Sequence, residues 1–258
     1  MRKYILLILI LLFATVISAQ NDYQVSLIND GEQVDMKGVP FCTLTGKGLF
    51  AMIGSTLVGM DSERNGNIEL SLPDTTYTIE EVVLSSDLFV CKSDSYIIYV
   101  SNHKRMRGFT IDTDSFHIRY ASDSTIYIIV NDKVFESNPR RGKPILRFEY
   151  INHRIIEYMP IGNLAYVVTE DQILQKRQGQ LILLLGMPEL IKAVNISSHG
   201  ILIGTETALF RYDSVGTLQL LEDIPVSQIL NDGDFLYIIT ENSSIYRLQR
   251  LNNEKSLE

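Results

Sequence analysis

Six times along the chain an apolar strand runs into a two- to four-residue polar turn and a second strand leaves it. The clearest copy is "ILIGTETALFRYDSVG" (201–216). Its relatives are "GLFAMIGSTLVGMD" (48–61), "DLFVCKSDSYIIYV" (87–100), "TIYIIVNDKVFES" (125–137), "NLAYVVTEDQILQK" (163–176) and "DFLYIITENSSIYRL" (234–248). With Gly54, Ser93, Asn131, Thr169, Thr205 and Thr240 as first turn residues, the spacings are 39, 38, 38, 36 and 35 residues. So steady a period is the mark of a repeat architecture, which governs how every shorter motif is read.

Each hairpin is flanked by two more strand-like runs. Before it come "VPFCTL", "IEEVVL", "FHIRYA", "RIIEYM", "IKAVNI" and "VSQILN"; after it come "NIELSL", "GFTIDT", "PILRFEY", "QLILLL" and "TLQLLE". Short β-rich runs between Gly, Asn, Asp and Ser clusters read as strands. Four strands per repeat is the make-up of a propeller blade. The strands are named A to D from the centre outward, so the repeated hairpin is B–C. The sixth copy lacks a D strand, because only the polar "NNEKSLE" follows "SSIYRLQRL". The unassigned run "YQVSLI" (23–28) can supply that strand and close the ring. The expectation is an all-β, six-bladed propeller of four-stranded antiparallel blades over residues 20–250, its last blade completed by an N-terminal strand, with 251–258 a polar tail. Gly204 and the Thr205-Glu206-Thr207 turn are read as hairpin geometry.

The phrase at 201–213 resembles the two-component-regulator propeller repeats, whose blades commonly read Ile-Gly-Thr, Gly-Leu, then Arg-Tyr-Asp. Gly204-Thr205, Leu209 and Arg211-Tyr212-Asp213 carry the likeness; Ala208 replaces the second Gly, and the chain has no Trp. The resemblance implies a propeller fold and an extracytoplasmic sensing or binding role, without naming a ligand. A fold of this kind does not by itself set a function.

The address read from the N-terminus agrees. Arg2 and Lys3 precede the apolar Tyr4–Ile17, and Ser18-Ala19 precedes Gln20, the layout of a secretory signal peptide over 1–19 with cleavage near Ala19-Gln20. That apolar run is short for a spanning helix, and no later segment is suited to cross a membrane. The expected mature chain, in a secreted, periplasmic or envelope location, holds 21 Lys and Arg against 31 Asp and Glu, a net charge of −10. Such a balance disfavours nucleic acid as a partner. Cys42 and Cys91 leave two options, one disulfide in an oxidising compartment or two buried thiols.

No catalytic or metal constellation emerges along the chain. His103, His117, His153 and His199 share no ligand spacing and read as surface or hydrogen-bonded residues. There is no Gly-x-Ser-x-Gly elbow. "NDGD" (231–234) lacks the further oxygen ligands of a calcium loop and reads as a turn. No cofactor is expected.

Alignment of the blades brings out two charge patterns. The basic one occupies three consecutive C–D turns: Lys104, Arg105 and Arg107; Arg140, Arg141 and Lys143; Lys176 and Arg177. Eight of the 21 mature basic residues in three short loops, against the net charge, mark a candidate surface for an anionic envelope component, polysaccharide or protein. The acidic one is a B–C turn series, Asp94, Asp132, Glu170, Glu206 and Glu241, on the opposite face and suited to a basic partner; solvated turn acids are its plainer explanation. The expected function is a monomeric, non-catalytic binding or scaffold propeller. Its rivals are a hydrolase or lyase with a site in the central channel and an accessory sensor partner of a membrane complex. Three or more carboxylates and histidines converging in the channel would favour the enzyme.

Overall fold

A computed structural model describes residues 23–29, 36–61, 70–71, 77–84, 88–101, 106–113, 115–122, 125–138, 143–197 and 200–250. The expected signal peptide and polar tail lie outside the described residues. The first strand is β1 (Tyr23–Asn29). Blade one follows as β2 (Phe41–Leu44), β3 (Gly48–Ile53), β4 (Thr56–Gly59) and β5 (Leu70–Ser71), and blade two as β6 (Glu81–Leu84), β7 (Leu88–Ser93), β8 (Tyr96–Ser101) and β9 (Met106–Thr110). Blade three is β10 (His117–Ser122), β11 (Thr125–Val130), β12 (Lys133–Ser137) and β13 (Ile145–Glu149). Blade four is β14 (Ile155–Ile161), β15 (Leu164–Thr169), β16 (Gln172–Arg177) and β17 (Gln180–Gly186). Blade five is β18 (Ala193–Ser197), β19 (Gly200–Gly204), β20 (Ala208–Asp213) and β21 (Gly216–Glu222), and β22 (Val226–Asn231), β23 (Phe235–Thr240) and β24 (Ile245–Arg250) begin blade six.

Each sheet is a four-stranded antiparallel meander, and the sixth has the order β1-β24-β23-β22. Tyr23 pairs with Arg250, Val25 with Leu248 and Leu27 with Tyr246, so the N-terminal strand completes the last blade. The chain is a six-bladed β-propeller.

Its apolar residues fall into six clusters, each between two neighbouring blades. Cys42, Phe50 and Leu57 of blade one meet Val82, Phe89 and Ile98 of blade two, for example, and Leu202 and Leu209 of blade five meet Val226, Ile238 and Leu248 of blade six. Strand alternation puts one set of side chains on each sheet face, so every blade needs a neighbour on both sides. The seam between the last and first blades carries polar ties as well. Arg247 donates through Nη1 to both oxygens of Asp61, at 3.2 and 3.1 Å, and the Tyr237 hydroxyl donates to the same carboxylate at 3.1 Å. The Gly46 amide bonds the Asp232 carbonyl at 2.8 Å, and Thr43 Oγ1 bonds the Asn231 carbonyl at 2.8 Å.

The turns correct two sequence readings. The B–C turns use two chemistries. In blades one to three, two residues connect the strands and the first has positive φ: Gly54 (61°), Asp94 (48°) and Asn131 (52°). Asp94 is therefore the counterpart of Asn131, not of Asp132, and its short polar side chain suits the left-handed backbone. In blades four to six a threonine hydroxyl accepts backbone amides beyond the turn: Thr169 from Gln172, Thr205 from Thr207 and Ala208, and Thr240 from Ser244. Gly204, for its part, is required by packing rather than by the hairpin. A Cβ there would lie 2.3 Å from Val226 Cγ1, where blades five and six meet. "NDGD" is a turn: Asn231 Oδ1 accepts the Gly233 amide, and Asp232 Oδ1 accepts those of Asp234 and Phe235.

Cys42 and Cys91 are free thiols, both buried in the cluster between blades one and two. Burial pushes the Cys42 thiol up to about 12; it raises Cys91 as well, with the neighbouring Cys42 adding to the effect.

The seam pair gives a direct test. Arg247→Met takes the guanidinium away from the buried Asp61 carboxylate and should cost about 3–5 kcal/mol, whereas Asp61→Leu combined with Arg247→Met should recover much of that loss. Urea unfolding of the two variants and the parent measures both; equal losses would show that the pair does not tie the seam.

Candidate functional site

The six A strands surround a central channel with a cavity of about 910 Å³, running from Glu80, Arg154, Glu170 and Lys192 at one mouth to Thr45, Leu84 and Asn231 towards the other. The polar residues of the wall come from alternation within single strands. On β10, Ile118 is buried between blades while His117 and Arg119, two residues apart, turn to the channel. Glu81 on β6 and Glu157 on β14 occupy the walls on either side. Among the described residues, blades six and one contribute no charged side chain to the same cavity, lining it with Phe41, Thr43, Ser227, Gln228 and Ile229 among others.

These four residues of blades two to four form one network. His117 Nδ1 lies 2.5 Å from Glu81 Oε1, and Glu81 Oε2 accepts the Ile118 amide at 2.8 Å. Arg119 spans two blades, donating Nε to Glu157 at 2.5 Å and Nη1 to Glu81 at 3.3 Å, with a further bond to the Ile118 carbonyl at 2.8 Å. Glu157 also accepts the Tyr158 amide at 3.1 Å. Burial alone would raise the Glu81 carboxyl, but the hydrogen bond to His117, the charges of Arg119 and His117 and the Ile118 amide outweigh it and hold the group below its ordinary value. Arg119 is held more basic than usual: burial opposes its charge, and Glu157 and Glu81 overcome that opposition. The imidazole, with 43% of its side chain exposed, bonds the protein through Nδ1 and makes no other hydrogen bond among the described residues.

The mouth above this network is rich in carboxylates. In the described B–C turns and the connections leading into A strands stand Glu80, Asp94, Asp112, Asp132, Glu170, Asp171, Glu189, Glu206, Asp223 and Glu241, ten acids against Lys37, Arg154 and Lys192. All members of the acidic turn series open on this face. Two of them are engaged: Arg154 bonds Glu170 at 3.2 Å, and Lys192 reaches Glu206 at 2.7 Å. The bond to Glu206 raises the Lys192 ammonium above its ordinary value; slight burial opposes, and the charges of Glu206, Glu241 and Glu170 push the same way. Glu80 is paired with Lys92 at 2.7 Å.

Of the basic series, Lys104, Arg105, Arg140 and Arg141 lie outside the described residues. Arg107 falls in β9 and Lys143 is exposed before β13. Lys176 and Arg177 end β16, with the Lys176 ammonium 4.6 Å from the Phe148 ring centroid. Among the histidines, His103 and His199 lie outside the described residues, and His153 stacks on Tyr150 with centroids 4.1 Å apart. His117 is thus a site residue that the reading along the chain passed over. Its signal was the alternation His-Ile-Arg at the start of an A strand, which turns both polar residues to the channel. Among the described residues no group of three or more His, Cys, Asp or Glu is placed to hold a metal ion, and no helix is long and apolar enough to cross a membrane.

No protein-family model and no curated protein sequence matches the chain. Solved structures share its fold. A catalytically inactive variant of virginiamycin B lyase from Staphylococcus aureus, with quinupristin, superposes with a TM-score of 0.61 at 11% identity, covering 89% of this chain and all of that one. The extracellular domain assigned to a hybrid two-component system of B. thetaiotaomicron gives 0.60 at 15% identity, over 89% of this chain and 40% of that one. The WD40 propeller domain of Doa1 gives 0.60 at 7% identity, over 82% and 79%. At such identities the likeness concerns the fold alone, which an enzyme, a sensor domain and a WD40 domain all use.

Glu81→Gln should lower stability at pH 7 by about 1.5–3 kcal/mol, the range for hydrogen bonds to a charged group. Because the folded carboxyl is held below its unfolded value, its stabilisation is complete above about pH 4.5 and fades as pH falls through the folded value. Melting curves of parent and variant should therefore converge as the pH is taken down below about 4.5; a gap that stays constant with pH would refute the assignment.

Proposed function

We propose that this protein is an extracytoplasmic, non-catalytic binding module that receives a basic partner on the acidic face around the channel mouth. The excess of ten carboxylates over three Lys and Arg in the turns and connections of that face supports the reading. Carboxylates grouped around a cleft focus a negative potential and draw in cations, more strongly at low salt. The likeness of residues 201–213 to regulator propeller repeats agrees with a binding role outside the cytoplasm. The basic series from Lys104 to Arg177, which the sequence assigns to C–D turns, serves as a second contact, for an anionic envelope component. The two surfaces can be tested together. Oligolysine should bind at 20 mM and release by 300 mM NaCl. Asp94→Asn, Asp132→Asn and Glu241→Gln in one chain should weaken it about tenfold, at about 0.5 kcal/mol per exposed charge. Replacing Arg105, Arg107, Arg140 and Arg141 by Gln should leave oligolysine binding unchanged and abolish retention on heparin. Insensitivity of either probe to its own set of substitutions removes that surface from the proposal.

A second reading, a hydrolase or lyase of the channel, is favoured by one observation. Glu81, Glu157 and His117 converge there, and the Nδ1 bond to Glu81 orients the imidazole with Nε2 directed away from that carboxylate. A histidine held in this way can act as a proton acceptor. In that case a turnover detected against envelope extracts would fall by 10²- to 10⁴-fold in His117→Ala, the usual range for loss of a general base; turnover that survives the substitution would exclude His117 as the base.

A further inference from the structure

Six outer strands form the rim of the disc, and each leaves one edge of its sheet without a strand partner among the described residues. Such an edge is a row of backbone amides and carbonyls open to another chain, and proteins guard it with charge, proline or brevity. Most of these strands follow that rule. β5 has two residues, β9 carries Arg107, β13 carries Arg147 and Glu149, and β21 ends on Glu222. β1 is uncharged, but Gln24 and Ser26 alternate with its exposed Val25 and Leu27.

β17 is the exception. Leu181, Ile182, Leu183, Leu184 and Leu185 follow one another without a charge or a proline. Adjacent residues point to opposite sheet faces, and both faces are affected, with Ile182 46% and Leu183 57% exposed. Gln180 to Leu183 pair in unbroken register with Arg177 to Leu174, and the bulge that could turn the edge aside comes only after Leu183.

The two ends of this strand are oppositely charged. Arg177 sits beside Gln180 at one end, with Lys176 next to it. At the other end Gly186 pairs with Gln172, so Asp171 and Glu189 stand close by. Arg177 and Asp171 are exposed. Arg177, Asp171 and Glu189 make no ion pair among the described residues; Asp171 accepts the Thr169 hydroxyl at 3.1 Å and Glu189 the Thr207 hydroxyl at 2.6 Å.

A strand that fits this edge is apolar, brings an acidic end to Arg177 and brings a basic end to Asp171 and Glu189. A second β17 laid antiparallel meets all three conditions, whereas a parallel one would set like charges together. We infer that β17 pairs with the β17 of a second copy of this chain about a two-fold axis, giving one eight-stranded sheet across two propellers. Each Arg177 then lies two to three strand spacings, about 10–14 Å, from the partner's Glu189 and Asp171, a gap that its long side chain narrows. The contact is isologous and consumes both edges, so assembly stops at two. Antiparallel pairing inverts one disc against the other, and each broad side of the dimer shows one acidic channel mouth. A contact one strand long is small, so association is weak and depends on concentration. The dimer replaces the monomer expected from the sequence, and it does not depend on the acidic-face reading above.

Sedimentation velocity of the whole protein at low salt, from about 5 µM to about 1 mM, tests the pairing across the range of a weak contact. The mean mass should rise from one copy towards two and level there. Ile182→Lys and Leu183→Lys each place a cation on the shared edge and should weaken association by about tenfold or more. Both positions are exposed, so the variants should melt close to the parent; if one fails to fold, the other decides. Arg177→Glu should weaken association about fivefold, because it opposes like charges at both ends of the pair. Leu27→Lys, on the edge of β1, should change nothing. A chain that stays monomeric at the highest concentration overturns the dimer and leaves the edge to a strand of another protein. Association that continues beyond two copies, that survives both β17 lysine substitutions, or that is lost in Leu27→Lys overturns it as well.

Discussion

Everything in this molecule hangs on the need of each blade for two neighbours. A four-stranded sheet with buried side chains on both faces cannot stand alone, and the six apolar clusters each belong to a pair of blades rather than to one. An open row would leave two apolar faces in water and would have no channel. Closure is therefore a condition of the fold, and it is made without a covalent bond. Strand β1 supplies the outer strand of the last blade, and the buried Asp61 and Tyr237 with the half-buried Arg247 tie that blade to the first. Pairing β1 with β24 also covers a sheet edge that would otherwise invite another chain.

The channel network follows from the same geometry. A strands of successive blades lie side by side, so a side chain on one wall meets those of the blades on either side. Arg119 is long enough to bridge Glu81 and Glu157, and its alternation partner His117 meets Glu81 from the same strand. The partners that meet across blades are 36 to 76 positions apart along the chain. The acidic turns frame the mouth above them because B–C turns and A-strand starts share one face of the disc. Ion pairs such as Lys192 with Glu206 temper that ring without cancelling it.

The blade count, the hairpins and the borrowed strand were legible because each copy repeats a local pattern of strand, turn and strand. The turn chemistry was less so. Spacing aligns Ser93 with Asn131, whereas backbone φ aligns Asp94 with Asn131, and this assigns part of the acidity of the series to conformation. Gly204 looked like a turn glycine until Val226, 22 residues on and in another blade, proved to occupy the space of its Cβ. The His-Ile-Arg alternation turns His117 to the channel, but its pairing with Glu81 could not be read, because Glu81 lies one blade earlier and no local motif joins them.

Local order along the chain decided the architecture: the period sets six sheets, alternation sets which residues are buried, and the polar turns set where strands reverse. Those properties depend on neighbours in sequence, so a sequence is enough to read them. The charge relations of the channel were decided by the closed ring. Whether Glu81 meets His117, whether one guanidinium serves two carboxylates, and which turn acids find a cation depend on how neighbouring blades face each other across the axis. Coulomb and hydrogen-bond energies act over a few ångströms of space, and only folding brings residues a blade or more apart within that range.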